Sequence, residues 1–294
     1  MYTPTSNSRP VPKKIFDYDV IDRIGEGARS VIYAVSHPKT RQLYALKHVK
    51  RETDKDDRFI DQVLNEYEVG RKITHPGLRK SIEMRTGRNL LLKINEVALL
   101  LELFDGQPLE INLPKSFSKL VRVFIDSARA MEALHQMGYV HCDLKPINIL
   151  VGPHAELKII DLGQAAPIGT EKKRIQGTAD FIAPEQVKLR PVTIRTDIYN
   201  LGATMYWALT QQKIPTMYTL RKQARVQGAA FSLDEHIIPP IKLNPHIPKE
   251  LSDLVVQCVK SDPRQRPGDM NELAMRLEEM LRHLKHRSTG SGHH

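Results

Sequence analysis

Residues 139–151 read YVHCDLKPINILV, and no other stretch constrains this chain as much. They set His141, Asp143, Lys145 and Asn148 in the order H-x-D-L-K-x-x-N between apolar flanks. A carboxylate, a cation and an amide are gathered into a few positions. Asp143 can accept a hydrogen bond from an attacking hydroxyl, and Lys145 can neutralise charge on a moving phosphoryl group. Asn148 can hold a divalent metal through its side-chain oxygen. Phosphoryl transfer from a metal-bound nucleotide requires this set.

Length allows one large domain or two modest lobes, since the chain has 294 residues. Hydrophobic residues make up 40%, enough for a proper core and against global disorder. The longest apolar runs, residues 97–103 and 254–259, are core-sized, so no membrane span is expected. The polar, Pro-rich N-terminus is unlike a signal peptide. Cys142 and Cys258 are the two cysteines, which argues for a reducing, cytoplasmic compartment and against a disulfide framework. The net charge of +10 comes from scattered residues with short clusters at 47–51, 172–174 and 282–287. That distribution suits anionic nucleotides or acidic partners and gives no support for specific nucleic-acid binding.

Residues 1–14 read as a flexible Pro-rich arm, and 286–294 as a flexible tail whose end resembles part of a histidine tag. From 15 to 103 the pattern is strand-rich. Strands are predicted over 18–24, 31–36, 42–49, 78–84 and 96–101, with one helix over 58–73 whose stripe is Phe59, Val63, Tyr67 and Gly70 or Ile73. From 104 to 285 the pattern is mainly helical. Helices are predicted over 117–137, 195–210, 249–259 and 269–284; the first has its stripe at Leu120, Val121, Phe124, Ala128, Met131 and Leu134.

Other motifs join the first. Gly25-Glu26-Gly27 opens a glycine-rich hairpin in which Ser30 stands where a third glycine would, which stiffens the loop. Ala45-Leu46-Lys47 ends a strand. Glu66 lies at the centre of the first helix, ahead of His75-Pro76, with Glu68 the competing carboxylate that should face elsewhere. Asp161-Leu162-Gly163 follows an apolar strand, and Ala183-Pro184-Glu185 ends the segment beyond it. Together these motifs resemble the protein kinase family over about residues 18–283, in the family's order.

The resemblance implies an α+β bilobal fold, a small antiparallel sheet lobe with one key helix followed by a larger helical lobe. It implies ATP with Mg²⁺, or Mn²⁺, as cofactor and Ser/Thr-bearing proteins as substrates, because D-L-K-P-x-N and the G-T-x-x-F-x-A-P-E run look like serine/threonine kinases. Asp143, Lys145 and Asn148 would be catalytic. Gly25, Gly27, Ile32, Ala45, Lys47, Glu66, Glu102, Phe104, Leu150 and Asp161 would surround the nucleotide, with Glu66 pairing Lys47, Leu101 as gatekeeper, and Asn148 and Asp161 holding the metal. Glu185 would pair with Arg266, Thr178 would bond Asp143 and Lys145, and Asp197 would brace the catalytic-loop backbone. Thr170 is the exposed phosphorylation candidate. Cys142 replaces the arginine that usually reads a phosphate on the activation segment, as in the non-RD kinases, so strict dependence on that phosphate is not expected. Compactness resembles the bacterial branch of the family.

The competing reading is a kinase-like, nucleotide-gated binding module with low turnover. It rests on Gly70, four residues after Glu66, where the family usually places a larger apolar side chain. A glycine there is expected to leave a hole and loosen the helix by about 1 kcal/mol relative to alanine.

Overall fold

The computed structural model describes residues 10–27, 29–90, 92–227 and 233–290. The expectations for residues 1–9, Ala28 and 291–294 lie outside them. The chain separates into two compact units. One holds the described residues up to Ile73 with Arg79–Phe104, and the other holds Thr74–Leu78 and the described residues from Asp105 onward.

The first unit is a six-stranded antiparallel sheet in the order β1-β2-β3-β4-β6-β5. Its strands are β1 (Lys14–Ile15), β2 (Tyr18–Glu26), β3 (Ser30–Ser36), β4 (Leu43–Lys50), β5 (Ser81–Arg88) and β6 (Ile94–Leu101), with helix α1 (Asp57–Gly70). The period of two along a strand decides which side chains meet the helix. Along β4, Ala45 and Val49 cluster with Ile60 and Val63 of α1, while Leu46 clusters on the opposite side with Tyr18, Tyr33 and Val35. Lys47 shares the parity of Ala45 and Val49, so the same alternation that buries them turns Lys47 toward α1. Each buried side chain contributes about 1.5–3 kcal/mol, so a one-residue slip of β4 would be strongly disfavoured.

Before α1, the Asp56 carboxylate accepts the backbone N–H groups of Glu52 and Thr53. Those bonds hold its pKa below the usual carboxylate range. The buried stripe of α1 is Ile60, Val63, Glu66, Val69 and Gly70. This corrects the expected stripe: Phe59 and Tyr67 are only partly buried at its flanks. The helix stops at Gly70 and not at 73; Lys72 and Ile73 donate to the Val69 and Gly70 carbonyls, so the chain leaves α1 through tight turns. β5 likewise starts at Ser81 and not at 78, since Leu78 instead bridges in parallel to Ile159 of the second unit.

The second unit is mostly helical: α2 (Phe117–Gln136), α3 (Pro184–Val187), α4 (Ile194–Thr210), α5 (Met217–Gln227), α6 (Pro240–Leu243), α7 (Lys249–Cys258) and α8 (Met270–Gly290). The stripe expected on α2 is buried at all six positions. α4 is buried on nearly every side from Thr196 to Tyr206, the pattern of a central core helix. α8 continues to Gly290, past the expected tail boundary at 285, because no proline or glycine interrupts its sequence before that residue. Small strands carry the loops of interest. β7 (Gln107–Pro108), β9 (Ile149–Val151) and β10 (Leu157–Ile159) form one sheet; β8 (Tyr139–Val140) and β11 (Ala166–Pro167) form another. Among the described residues no helix is long and apolar enough to cross a membrane.

Candidate active site

The loop between β8 and β9 is pinned from below by α4. Asp197, fully buried in the first turn of α4, accepts the backbone N–H of His141 at 2.7 Å and of Cys142 at 2.9 Å. His135 Nε2 lies 2.9 Å from the same carboxylate. These bonds hold Cys142 at a φ of 67°, a left-handed backbone that costs a non-glycine residue about 1–2 kcal/mol. Gln186 of α3 donates to the Cys142 carbonyl at 2.7 Å and to the Gln176 carbonyl at 3.1 Å, tying this loop to the segment before α3.

His141 sets the spacing to the next loop. Its Nδ1 accepts the N–H of Asp143 at 3.2 Å, and its Nε2 faces the Ile160 carbonyl at 3.1 Å. The ring is thereby fixed as the tautomer protonated on Nε2. It connects the Asp143 loop to the residue preceding Asp161. Asp161 has φ 66° and ψ 66°, again left-handed. One strained residue, Cys142, precedes Asp143, and the other, Asp161, is itself a carboxylate expected to do chemistry.

Asp143 is 5% exposed, and both its oxygens are engaged. Thr178 Oγ1 donates to Oδ1 at 2.8 Å, and Lys145 Nζ lies 2.8 Å from Oδ2. Lys145 also donates to Thr178 Oγ1 at 2.6 Å, closing a triangle of side chains. Gln164 Nε2 adds a fourth contact at 3.2 Å from Oδ2. Asn148 Nδ2 donates to the Asp143 carbonyl at 2.9 Å, so the amide oxygen is the atom left to offer a metal. Asn148 and Asp161 are hard oxygen donors suited to Mg²⁺ or Mn²⁺. Among the described residues no cluster of three or more His, Cys, Asp or Glu could hold an ion. A two-ligand set fits an ion that keeps water and phosphate oxygens as its remaining ligands.

In the first unit, Lys47 Nζ meets Glu66 Oε2 at 2.6 Å, with both side chains buried. Glu68 pairs with Arg71 on the exposed face at 3.0 Å, as the helical geometry requires. The glycine hairpin is closed by Gly27 N–H donating to the Ser30 carbonyl at 2.7 Å. An added Cβ at Gly27 would lie 2.6 Å from Ser30 Oγ, so a larger residue at 27 would require the serine side chain to turn away. Gly25 pairs with Ile32 across β2 and β3, and Ile32 pairs with Lys47 across β3 and β4.

A protein kinase domain model matches residues 18–283. The chain belongs to the protein kinase family. Its relatives include the protein named Probable serine/threonine-protein kinase CPE1738 of Clostridium perfringens, 25% identical over 90% of this chain and 38% of the relative. PknD, a serine/threonine-protein kinase of Chlamydia caviae, is 27% identical over 90% of this chain and 31% of its own length. PknA, a serine/threonine-protein kinase of Mycobacterium tuberculosis, is 28% identical over 83% of this chain and 56% of its own length. The chain thus spans from just under a third to somewhat over half of the length of these relatives.

Within this kinase the expected residues fall into two sets. Gly25, Gly27, Ile32, Ala45, Lys47, Glu66, Glu102 and Phe104 lie in the sheet unit, and Asp143, Lys145, Asn148, Leu150 and Asp161 in the helical unit. Ala45 is buried, whereas Glu102, Phe104, Leu150 and Asp161 are half-buried. Glu102 N–H donates to the Lys80 carbonyl at 3.0 Å, so the chain leaving β6 is still tied to the strand beside it. Two participants were invisible in the sequence, Gln164 on Asp143 and Gln186 bridging two loops; His141 was singled out, but not its role in linking the Asp143 loop to Ile160. Glutamines carry no periodic or charge signal, and only the folded loops bring them to their partners.

The expected hole at Gly70 is absent. An added Cβ there would lie 2.2 Å from Ser81 Oγ. That hydroxyl donates to the Glu66 carbonyl at 3.2 Å. Ser81 therefore occupies the space that a larger residue at 70 would need.

Proposed function

We propose that this chain is a serine/threonine protein kinase that transfers the γ-phosphoryl group of Mg-ATP to hydroxyls of protein substrates. Membership of the family implies ATP and a divalent metal. The observation that carries the reading is the Asp143–Lys145–Thr178 triangle, with contacts of 2.6–2.8 Å. Asp143 is already turned toward hydroxyl and ammonium donors, as a base that orients an incoming alcohol must be. Bound Mg-ATP supplies the phosphoryl group and the metal that neutralises its developing charge. Asn148 and Asp161 would hold the metal. Lys145 would stabilise the transferring group, and Lys47, braced by Glu66, would grip the nucleotide's phosphates. Gly25, Gly27, Ile32, Ala45, Glu102, Phe104 and Leu150 would bound the nucleotide. The binding-module alternative is not favoured, because its premise at Gly70 is filled by Ser81 and the Lys47–Glu66 pair is formed.

Activity is proposed not to depend strictly on activation-segment phosphate. Cys142 is buried and its thiol faces the Val140 carbonyl, so it cannot read a phosphate. Thr170 Oγ1 is turned onto the Pro167 carbonyl at 2.7 Å, and Lys172 Nζ donates to the Gln164 carbonyl at 2.9 Å. The segment is thus held by its own contacts. Thr170→Ala should retain full activity. The exposed Lys173 and Arg174 favour acidic or phosphorylated partners, and equal rates on acidic and basic peptides would refute that. The two buried free cysteines suit a reducing, cytoplasmic setting.

The test is intact mass after incubation with ATP and magnesium, alongside Asp161→Asn. Stepwise phosphate additions on Ser or Thr, absent in the variant, would support the reading. No nucleotide-dependent thermal shift together with no mass gain would refute it.

A further inference from the structure

Arg79 is a buried cation to which the family chemistry gives no task. It lies just ahead of β5 and is 8% exposed. Its Nη2 stands 3.6 Å from Glu66 Oε1, while Lys47 Nζ holds Oε2 at 2.6 Å. Glu66 thus carries one cation on each oxygen. Two residues further on, Ser81 Oγ bonds the Glu66 backbone carbonyl. The short segment from Arg79 to Ser81 therefore grips Glu66 at both its side chain and its backbone.

A cation removed from water needs a counter-charge, and the ion pair that the structure gives Arg79 is with Glu66. Arg79 Nε has no hydrogen-bond partner among the described residues, and the recorded contact of the guanidinium is Nη2 with Glu66. A glutamate bound by one cation on one oxygen can still turn about its terminal torsion, whose potential is broad. A second cation on the other oxygen fixes the plane of the carboxylate.

We propose that Arg79 is a positioning residue for nucleotide binding: it clamps the outer oxygen of Glu66 so that Lys47 is presented in one place. This rests on the assignment of Lys47 to the ATP phosphates. It adds a charge restraint to the packing that Ser81 already gives α1 at Gly70.

The test compares Arg79→Met, Arg79→Lys, Glu66→Gln, Lys47→Met and the Glu66→Gln/Arg79→Met pair, using Mg-ATP and following ADP release by the full chain. Arg79→Met should lower kcat/KM for Mg-ATP at least tenfold, with Arg79→Lys restoring it to within threefold. In the Glu66→Gln background the same replacement should add less than threefold. If Arg79→Met does not fold, Arg79→Gln carries the same expectation. A lowered melting temperature with kcat/KM within threefold of the parent would overturn the proposal, as would losses that multiply in the double variant. Turnover retained by Lys47→Met would overturn the lysine assignment itself and the proposal with it. An inactive Lys47→Met beside a fully active Arg79→Met would overturn the proposal alone.

Discussion

Arg266 grips Glu185 through its two terminal guanidinium nitrogens, Nη1 to Oε1 at 2.7 Å and Nη2 to Oε2 at 2.9 Å, inside the helical unit. The partners are 81 residues apart in sequence. The Arg266 side chain is fully buried, lies over the Tyr199 ring at 5.0 Å and also donates to the Lys260 and Arg195 carbonyls. Thr196 Oγ1 supplies Glu185 with a further donor at 2.9 Å. The pair therefore locks the start of α3 to the turn before α8. Removing one partner leaves a buried charge uncompensated, which costs about 3–5 kcal/mol. Arg266→Met should lose about that much in urea unfolding. Replacing both partners by apolar residues should cost less than the sum of the single changes, and strict additivity would count against a coupled pair.

Asp197 supports the loop that carries Asp143 by a different means, accepting the backbone N–H groups of His141 and Cys142. Asp197→Asn keeps the shape but turns one acceptor into a donor that opposes an N–H. An unmatched buried donor costs about 1–3 kcal/mol. Without its anchor, Cys142 is free to leave its left-handed backbone and Asp143 shifts with it. The variant should show a lowered thermal midpoint and turnover reduced at least tenfold in the protein that remains folded. Unchanged turnover would show that the loop holds Asp143 without Asp197.

The large features were readable because they are periodic or carry charge in a fixed order. The α2 stripe and the facing of Glu68 away from the Glu66 side follow from the spacing of side chains, whereas the pairing of Lys47 with Glu66 was expected from the family resemblance. α5 and the short α3 and α6 lacked a periodic signal long enough to detect. Gly70 misled for a different reason. A glycine in a helix looks like a missing side chain in one dimension, and only the fold brings in Ser81, eleven positions later, to fill the space.

The two thiols give a pH signature. Burial pushes Cys258 up to about 12, and Cys142 is raised well above the usual range by burial, with the Asp197 charge adding to it. An unfolded thiol titrates near pH 8.5. Below that pH both states hold the proton and the stability is intact. Above it the unfolded chain releases a proton that the native chain keeps, so stability falls as pH rises from about 8.5 toward 12. The slope is at most about 1.4 kcal/mol per pH unit for each thiol. Urea unfolding between pH 8 and 10 should fall more steeply for the parent than for Cys258→Ala, which removes one such group. Parallel slopes, or rapid labelling of either thiol in native buffer, would contradict this.

Gly70 offers the sharpest test of packing. In an exposed helix, Gly→Ala would stabilise by about 1 kcal/mol through lost backbone entropy. Here the new methyl would sit 2.2 Å from Ser81 Oγ, 3.0 Å from its Cβ and 3.3 Å from its backbone nitrogen. Backbone cannot rotate away as a side-chain tip can, and overpacking of this kind costs about 1–3 kcal/mol. Gly70→Ala should therefore be destabilising by about 1 kcal/mol overall, despite its better helix propensity. In a Ser81→Gly background, where the two nearest atoms are gone, the same change should become neutral or stabilising. A double-mutant cycle in urea measures the difference directly. A stabilising Gly70→Ala in the parent would mean that β5 and α1 do not approach closely, and the grip of residues 79–81 on Glu66 would lose its structural basis.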